Sequence, residues 1–224
     1  MAIETSQRRT VLLASLRDEI RRLERRPDRR AGVLPCGLAG VDEALPAGGF
    51  PRGTLSELRG GPASGKTAVA LALVAALGRE ELAACVDGAG ELYPPAAAAL
   101  GVDLARFLLV RPGDARSPGE RAGVDLLWAA EALLASGAFG AVIIDVALPP
   151  GLRGADGLLR RLQTAAERGG TIGLWLSAPG SSVRVPSGIR LDISGCDGRV
   201  VASREGRPAR PSLALRGAGA GDAA

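Results

Sequence analysis

Gly60-Gly61-Pro62-Ala63-Ser64-Gly65-Lys66-Thr67 is the stretch that decides how this chain is read. It satisfies G-x-x-x-x-G-K-[ST] in full, with a strand expected around 54–58 before it and a helix over 66–78 after it. Each position has a physical task. Glycines let successive amides turn inward into an anion-binding nest, and the N-terminus of the following helix adds its dipole. Lys66 brings a compact ammonium to the outer phosphates, and the Thr67 hydroxyl is a ligand for magnesium. The bland alternative is a glycine-rich turn that caps a helix. Composition weighs against it, because 28 residues are Lys or Arg and Lys66 is the sole lysine. Arginine cannot take the place of lysine where a point charge is required.

Outward from this loop the chain alternates. Strands are expected at 83–86, 107–110, 141–146 and 171–176, and helices at 94–101, 119–136 and 155–168. Strands alternating with helices predict an α/β fold with a mostly parallel sheet covered on both faces. After Pro186 the pattern changes to short runs at 189–194, 199–204 and 212–216 separated by turn residues, which read as antiparallel strands. A phosphate-binding loop also calls for an acid at the end of a neighbouring buried strand. Ala141-Val142-Ile143-Ile144-Asp145 supplies it, so Asp145 is the expected Walker B residue, holding magnesium through water. The other reading of Asp145 is a plain helix N-cap. Hydrolysis needs more, a group that positions the attacking water. Glu91 is the nearest candidate, and Asp87 directly ends the preceding strand.

Residues 5–26 place Leu12, Leu13, Leu16, Ile20 and Leu23 at helical spacing, followed by the polar linker RPDRRAG. The organisation expected is an N-terminal amphipathic helix and linker at 1–31, one nucleotide-binding domain at 32–216, and a disordered tail at 217–224. That helix covers either its own domain or a partner. Its arginine-rich face is either solvated or a contact for DNA or protein. Trp128 and Trp175 sit in strongly apolar elements and are expected in the core.

Composition excludes several chemistries. With no histidine there is no Ser-His-Asp triad, no imidazole base and no zinc site with a His ligand. Three scattered cysteines fit buried thiols in a reducing cytoplasm. Neither a signal peptide nor a membrane span is expected, and a net charge of +4 permits an acidic partner without demanding one.

Over residues 33–216 the chain resembles the RecA/RadA class of P-loop proteins. The landmarks occur in order: LPCGLAGVDEALPAGGFPRG (34–53), the phosphate loop, VDGAGELYPPAAAALGVD (86–103), SGAFGAVIIDVALPP (136–150) and IRLDI (189–193). Size, the basic N-terminal helix, GGFPRGTLSEL and LLWAAEALLASGAFGAVIID are most similar to the ImuA family, short RecA-like proteins encoded with ImuB and an error-prone polymerase. The resemblance implies a RecA-like core that takes ATP and Mg2+, and a cytoplasmic accessory role in translesion synthesis within the SOS response. Its implied partners are an ImuB-like inactive Y-family polymerase and the RecA recombinase.

Departures from the recombinase pattern limit what carries over. Where recombinases place a catalytic glutamate, this chain has Ala89; where an acid and an aromatic meet adenine, it has Tyr93 and Ala96. Tyr93 is then the group left to stack on the base. Where a glutamine senses the γ-phosphate, Ser177 follows the strand. The loops that hold single-stranded DNA shrink to PPGLRGAD (149–156) and SAPGSSVRVPS (177–187), without an aromatic to wedge between bases. Arg184 is either a cation for a neighbouring subunit's phosphate or a solvated loop charge. The expectation is ATP binding with weak or no turnover, weak DNA binding at most, and an oligomeric state the sequence leaves open. Two alternatives stand beside it: an active DNA-dependent ATPase, with Glu91 in the glutamate's place, and a SulA-like cell-division inhibitor.

Overall fold

The computed structural model describes residues 32–112, 120–148, 154–181, 185–186, 189–196, 199–204 and 207–208. The first helix (5–26), Arg184, the 212–216 strand, the tail, and parts of both shortened loops lie outside the described residues.

A ribbon of β1 (Val33–Leu34) and β2 (Phe50–Pro51) brackets a short helix α1 (Ala39–Ala44), neither of which the periodicity announces. The main sheet then builds from β3 (Leu55–Arg59), β4 (Leu82–Asp87), β5 (Phe107–Val110), β6 (Phe139–Asp145), β7 (Ile172–Ser177), β8 (Arg190–Cys196), β9 (Arg199–Arg204) and β10 (Arg207–Pro208). Between them lie α2 (Lys66–Ala75), α3 (Pro94–Ala99), α4 (Glu120–Ala135) and α5 (Ala155–Gly169). The order across the sheet is β10-β9-β8-β3-β7-β6-β4-β5. Every pairing from β8 to β5 is parallel, and β9 and β10 add antiparallel strands at one edge. The α/β class and mostly parallel sheet are as expected. Two details differ. β8 is expected as the start of the antiparallel run, but its other edge pairs in parallel with β3. The strand ending in Asp145 is not the immediate neighbour of β3, because β7 lies between them.

Two cores cover the two faces of the sheet. On one, α2 packs with Leu58, Cys85, Ile143, Leu174, Leu176 and Leu191; on the other, α4 and α5 pack with Leu55, Val86, Ile144 and Trp175. Residues of one strand therefore divide between faces by the pleat, two by two. α2 is buried from Val69 to Val74 without a break, so its apolar character is all-round, as a helix enclosed on every side requires. α5 is amphipathic instead, burying Leu159, Leu162, Ala165 and Ala166 and leaving its arginines outside. Gln163 fastens α5 to β3, accepting from Leu55 N–H at 2.9 Å and donating to the Gly53 carbonyl at 3.2 Å.

The tryptophans part company. Trp175 is 1% exposed between β3 and β6, as expected. Trp128 is 69% exposed, which corrects its assignment to the core. Leu126, Leu127, Ala130 and Leu134 are the stripe that α4 buries, and Trp128 falls on its opposite side. Cys36 and Cys85 are free and buried, and burial pushes each thiol up to about 12, far from a reactive thiolate. Among the described residues, no helix is long and apolar enough to cross a membrane.

Candidate functional site

The site forms at the C-terminal ends of β3, β6 and β4. β3 ends at Arg59, the loop 60–65 turns over it, and α2 begins at Lys66. Gly60 is fixed from both sides. Its N–H donates to the Ser177 carbonyl at 3.0 Å, and a Cβ here would come within 2.3 Å of Ser64 Oγ and 2.6 Å of the Ile193 carbonyl. Only glycine fits between the loop and β8. Gly65 takes φ +91 and Ala63 φ +56, the left-handed conformations that turn successive amides toward one centre. The first hydrogen bond inside α2 is Val69 N–H to the Gly65 carbonyl, 2.9 Å. The amides before it are the orphan donors of a helix start and face the loop's concave side.

Lys66 is half-buried, with Nζ 3.4 Å from the Gly61 carbonyl, curled back over the loop. Thr67 follows in the first turn, also half-buried. Asp145 stands at the end of β6, on the α2 side of the sheet by the pleat, since Ile143 two residues before it packs under α2. Burial pushes the Asp145 carboxyl up; the Lys66 ammonium opposes this, and the charges of Asp87 and Glu91 add to it. Lys66 at the loop and Asp145 thus share one electrostatic neighbourhood, although β7 separates their strands.

The residues present fit a nucleotide with a divalent cation. A desolvated carboxylate beside a second one favours a cation, and Ser64 Oγ is buried in the loop with no hydrogen-bond partner among the described residues. Among the described residues no three acidic or thiol side chains converge as a ready-made metal cage. Thr67 and Asp145 are instead the sparse protein set typical of magnesium, to which phosphates supply the remaining oxygens.

The groups considered for hydrolysis are placed differently. Asp87 is 1% exposed and its oxygens are occupied: Oδ1 accepts Glu91 N–H at 3.1 Å, and Oδ2 accepts Leu92 N–H and Arg111 Nε, each at 3.0 Å. It is buried and braces the 88–92 turn, with three of its roughly four acceptor sites already taken. Ala89 is exposed, and Glu91 is exposed within electrostatic range of Asp145. Tyr93 precedes α3 and is 67% exposed, its ring resting on no core.

Ser177 sits beside the phosphate loop, yet its hydroxyl points away. Leu174 and Leu176 face α2, so Trp175 and Ser177 face the α4–α5 side. There the Ser177 hydroxyl donates to Glu57 Oε1 at 2.6 Å, and Arg190 Nε donates to Glu57 Oε2 at 2.6 Å. Glu57, with no exposed surface, is a residue that sequence reasoning missed. The available sign was an acid set between the two leucines of LSELR. One step along the strands, Arg59 pairs with Asp192, so two charged pairs join β3 to β8 beneath the loop.

Curated relatives include the protein RecA of Lactobacillus delbrueckii subsp. bulgaricus, 35% identical over 127 residues, 56% of this chain and 36% of that protein. The protein RecA of Streptococcus pyogenes serotype M49 is 38% identical over 127 residues, 56% and 32% of the two chains. The protein RecA of Lactococcus lactis subsp. cremoris is 40% identical over 125 residues, 55% and 30%. The chain spans about a third of the length of these relatives. The RecA N-terminal domain model matches residues 14–152, more than half of the chain. That span runs through both the phosphate loop and the Asp145 strand end that the fold brings together, and by this match the chain belongs to the RecA N-terminal domain family.

Proposed function

We propose that this chain is a nucleotide-binding accessory protein of the ImuA type, acting in the cytoplasm in translesion synthesis after DNA damage. It holds ATP with Mg2+ and works by docking an ImuB-like inactive Y-family polymerase, the RecA recombinase, or both. Turnover is weak or absent. The residues from Gly60 to Thr67 cradle the phosphates, Thr67 and Asp145 hold the magnesium, and Tyr93 offers its ring to the base. The ion would draw off phosphate charge, while the chain's own residues bind and orient.

One observation carries the reading. The phosphate and metal side chains face the α2 side of the sheet, whereas the Ser177 hydroxyl is turned to the opposite face and bound to Glu57. With Ala89 unable to polarise a water and Asp87 buried and tied to the turn and Arg111, the site is equipped to bind and poorly equipped to hydrolyse. The test is steady-state ATP hydrolysis with and without single-stranded DNA, beside equilibrium ATP binding, for wild type and Lys66→Ala. Binding that Lys66→Ala abolishes, with hydrolysis near background, is expected. DNA-stimulated hydrolysis lost in Lys66→Ala would overturn it.

That outcome would instead favour an active DNA-dependent ATPase. The observation on its side is Glu91, whose charge reaches Asp145 and which could take the missing glutamate's part. Glu91→Gln separates the two readings, because only an active enzyme loses turnover with it.

A further inference from the structure

Three neighbouring strand ends carry a row of charge outside the phosphate loop. Arg111 follows β5, Asp87 ends β4 and Asp145 ends β6, and these strands are adjacent in that order. Asp87 and Asp145 are direct partners in the ladder. Arg111 bridges the first of them to the turn: Nε donates to Asp87 Oδ2 at 3.0 Å, and a terminal nitrogen donates to the Leu92 carbonyl. Asp87 in turn accepts the Glu91 and Leu92 amides. The turn from Gly88 to Leu92, which contains two glycines and would otherwise have wide freedom, is therefore closed from both its amide and its carbonyl sides. The turn also starts against the Asp145 strand end, because Gly88 N–H donates to the Asp145 carbonyl at 2.8 Å, and Glu91 lies within electrostatic range of Asp145; Tyr93 is set at the start of α3.

We infer that Arg111 is a positioning residue for the nucleotide site: through Asp87 and the Leu92 carbonyl it fixes the 88–92 turn so that Glu91 stands beside Asp145 and contributes to holding the divalent cation. This rests on the nucleotide reading above. Its geometric and electrostatic parts predict opposite outcomes. Removing a cation near two carboxylates strengthens their pull on Mg2+, whereas releasing the turn withdraws Glu91 and weakens it. A lysine keeps the charge and loses the planar fork that reaches both acceptors. Arg111→Lys is therefore the decisive variant, and at 40% exposure Arg111 can be replaced without opening the core.

The experiment has two arms on the full chain. In the first, amide hydrogen exchange at Glu91 and Leu92 is measured without ligand. Arg111→Lys should speed exchange there by about 10-fold, since local opening is governed by such bonds, while α2 and α5 are unchanged. In the second, the Mg2+ concentration giving half-maximal ATP binding is measured for wild type, Arg111→Lys, Glu91→Gln and the double variant. Each single variant should raise it by about 5-fold, and the double variant should match the singles, because coupled residues are non-additive. An unchanged midpoint in Arg111→Lys, or fully additive effects, overturns the positioning role. If wild type binds no ATP, the nucleotide reading itself has failed; unchanged exchange in the first arm would then separately overturn the clasp.

Discussion

The buried carboxylate of Glu57 gives the strongest test of how this sheet is held beneath its loop. Glu57 lies opposite Arg190 in the β3–β8 ladder, has no exposed surface, and among the described residues receives the two side-chain bonds of 2.6 Å from Arg190 and Ser177. Arg190→Met removes the hydrogen-bonded cation and leaves a desolvated anion with one neutral donor, Ser177, and the more distant charge of Arg59. Breaking a buried pair in this way costs about 3–5 kcal/mol, mostly the penalty of the stranded charge. For a chain of 224 residues, each kcal/mol shifts Tm by about 2–4 °C, so a fall near 10 °C is expected. The compensating variant is Glu57→Gln with Arg190→Met, which strands no charge and should recover most of the loss. Urea unfolding of the three proteins, read at constant m, gives the free energies directly. A loss below about 1 kcal/mol in Arg190→Met, or a double variant no better than the single, would refute the argument that a stranded charge dominates.

Other consequences can be checked with simpler measurements. Gly60→Ala should abolish ATP binding and cost about 1–3 kcal/mol of stability, because its Cβ meets the Ile193 carbonyl at 2.6 Å and backbone cannot step aside; isothermal titration and thermal melting read the two effects. Asp145→Asn should lose Mg2+-dependent nucleotide binding while the unliganded protein becomes more stable at neutral pH by up to about 1 kcal/mol. The sign follows from burial holding this carboxyl above its unfolded value: its favourable contribution is complete below the unfolded carboxyl range and is lost as pH rises through the folded value. The gap between variant and wild type should therefore close on acidification, in melts followed across pH. Trp128→Ala should change stability by less than about 0.5 kcal/mol, whereas Trp175→Ala should cost about 3–5 kcal/mol. Iodide should quench the emission that Trp175→Phe retains and spare that of Trp128→Phe, given exposures of 69% and 1%.

Legibility followed the range of the interactions concerned. The phosphate loop was readable because its chemistry is written in consecutive residues, and the strands from 83 to 176 because buried parallel strands are short apolar runs between breakers. The placement of Asp145 at a strand end was readable on the same ground. What was not readable depended on the order of strands. Nothing local in IGLWLS says that β7 inserts between β3 and β6, so the sequence reading put Asp145 on a neighbouring strand. β8 is half legible for a related reason: its antiparallel hairpin to β9 is a local feature and is as expected, while its parallel pairing to β3 joins residues 133 apart, as in Glu57 and Arg190. Trp128 shows a limit of composition. Apolar richness marked its helix as buried, but α4 buries only one stripe, and phase within the helix placed the ring outside.

The pleat decides which polar groups at this sheet end can act on a phosphate. In β4 and β6 the final acid falls in phase with Cys85 and Ile143, both packed under α2, so Asp87 and Asp145 arrive on the side where the loop opens. In β7 the phase is reversed. Leu174 and Leu176 occupy the α2 side, and the polar residue at the strand's end, Ser177, falls to the other face, where Glu57 takes its proton-bearing oxygen as a donor. A one-residue shift in the polar position is enough to convert a group beside the phosphates into a support for β3. The same economy applies to Asp87, which reaches the right face but spends both oxygens on the turn behind it. In the proposed site, Asp145 is then the acid left to meet a cation directly, with Glu91 reaching toward it from the turn.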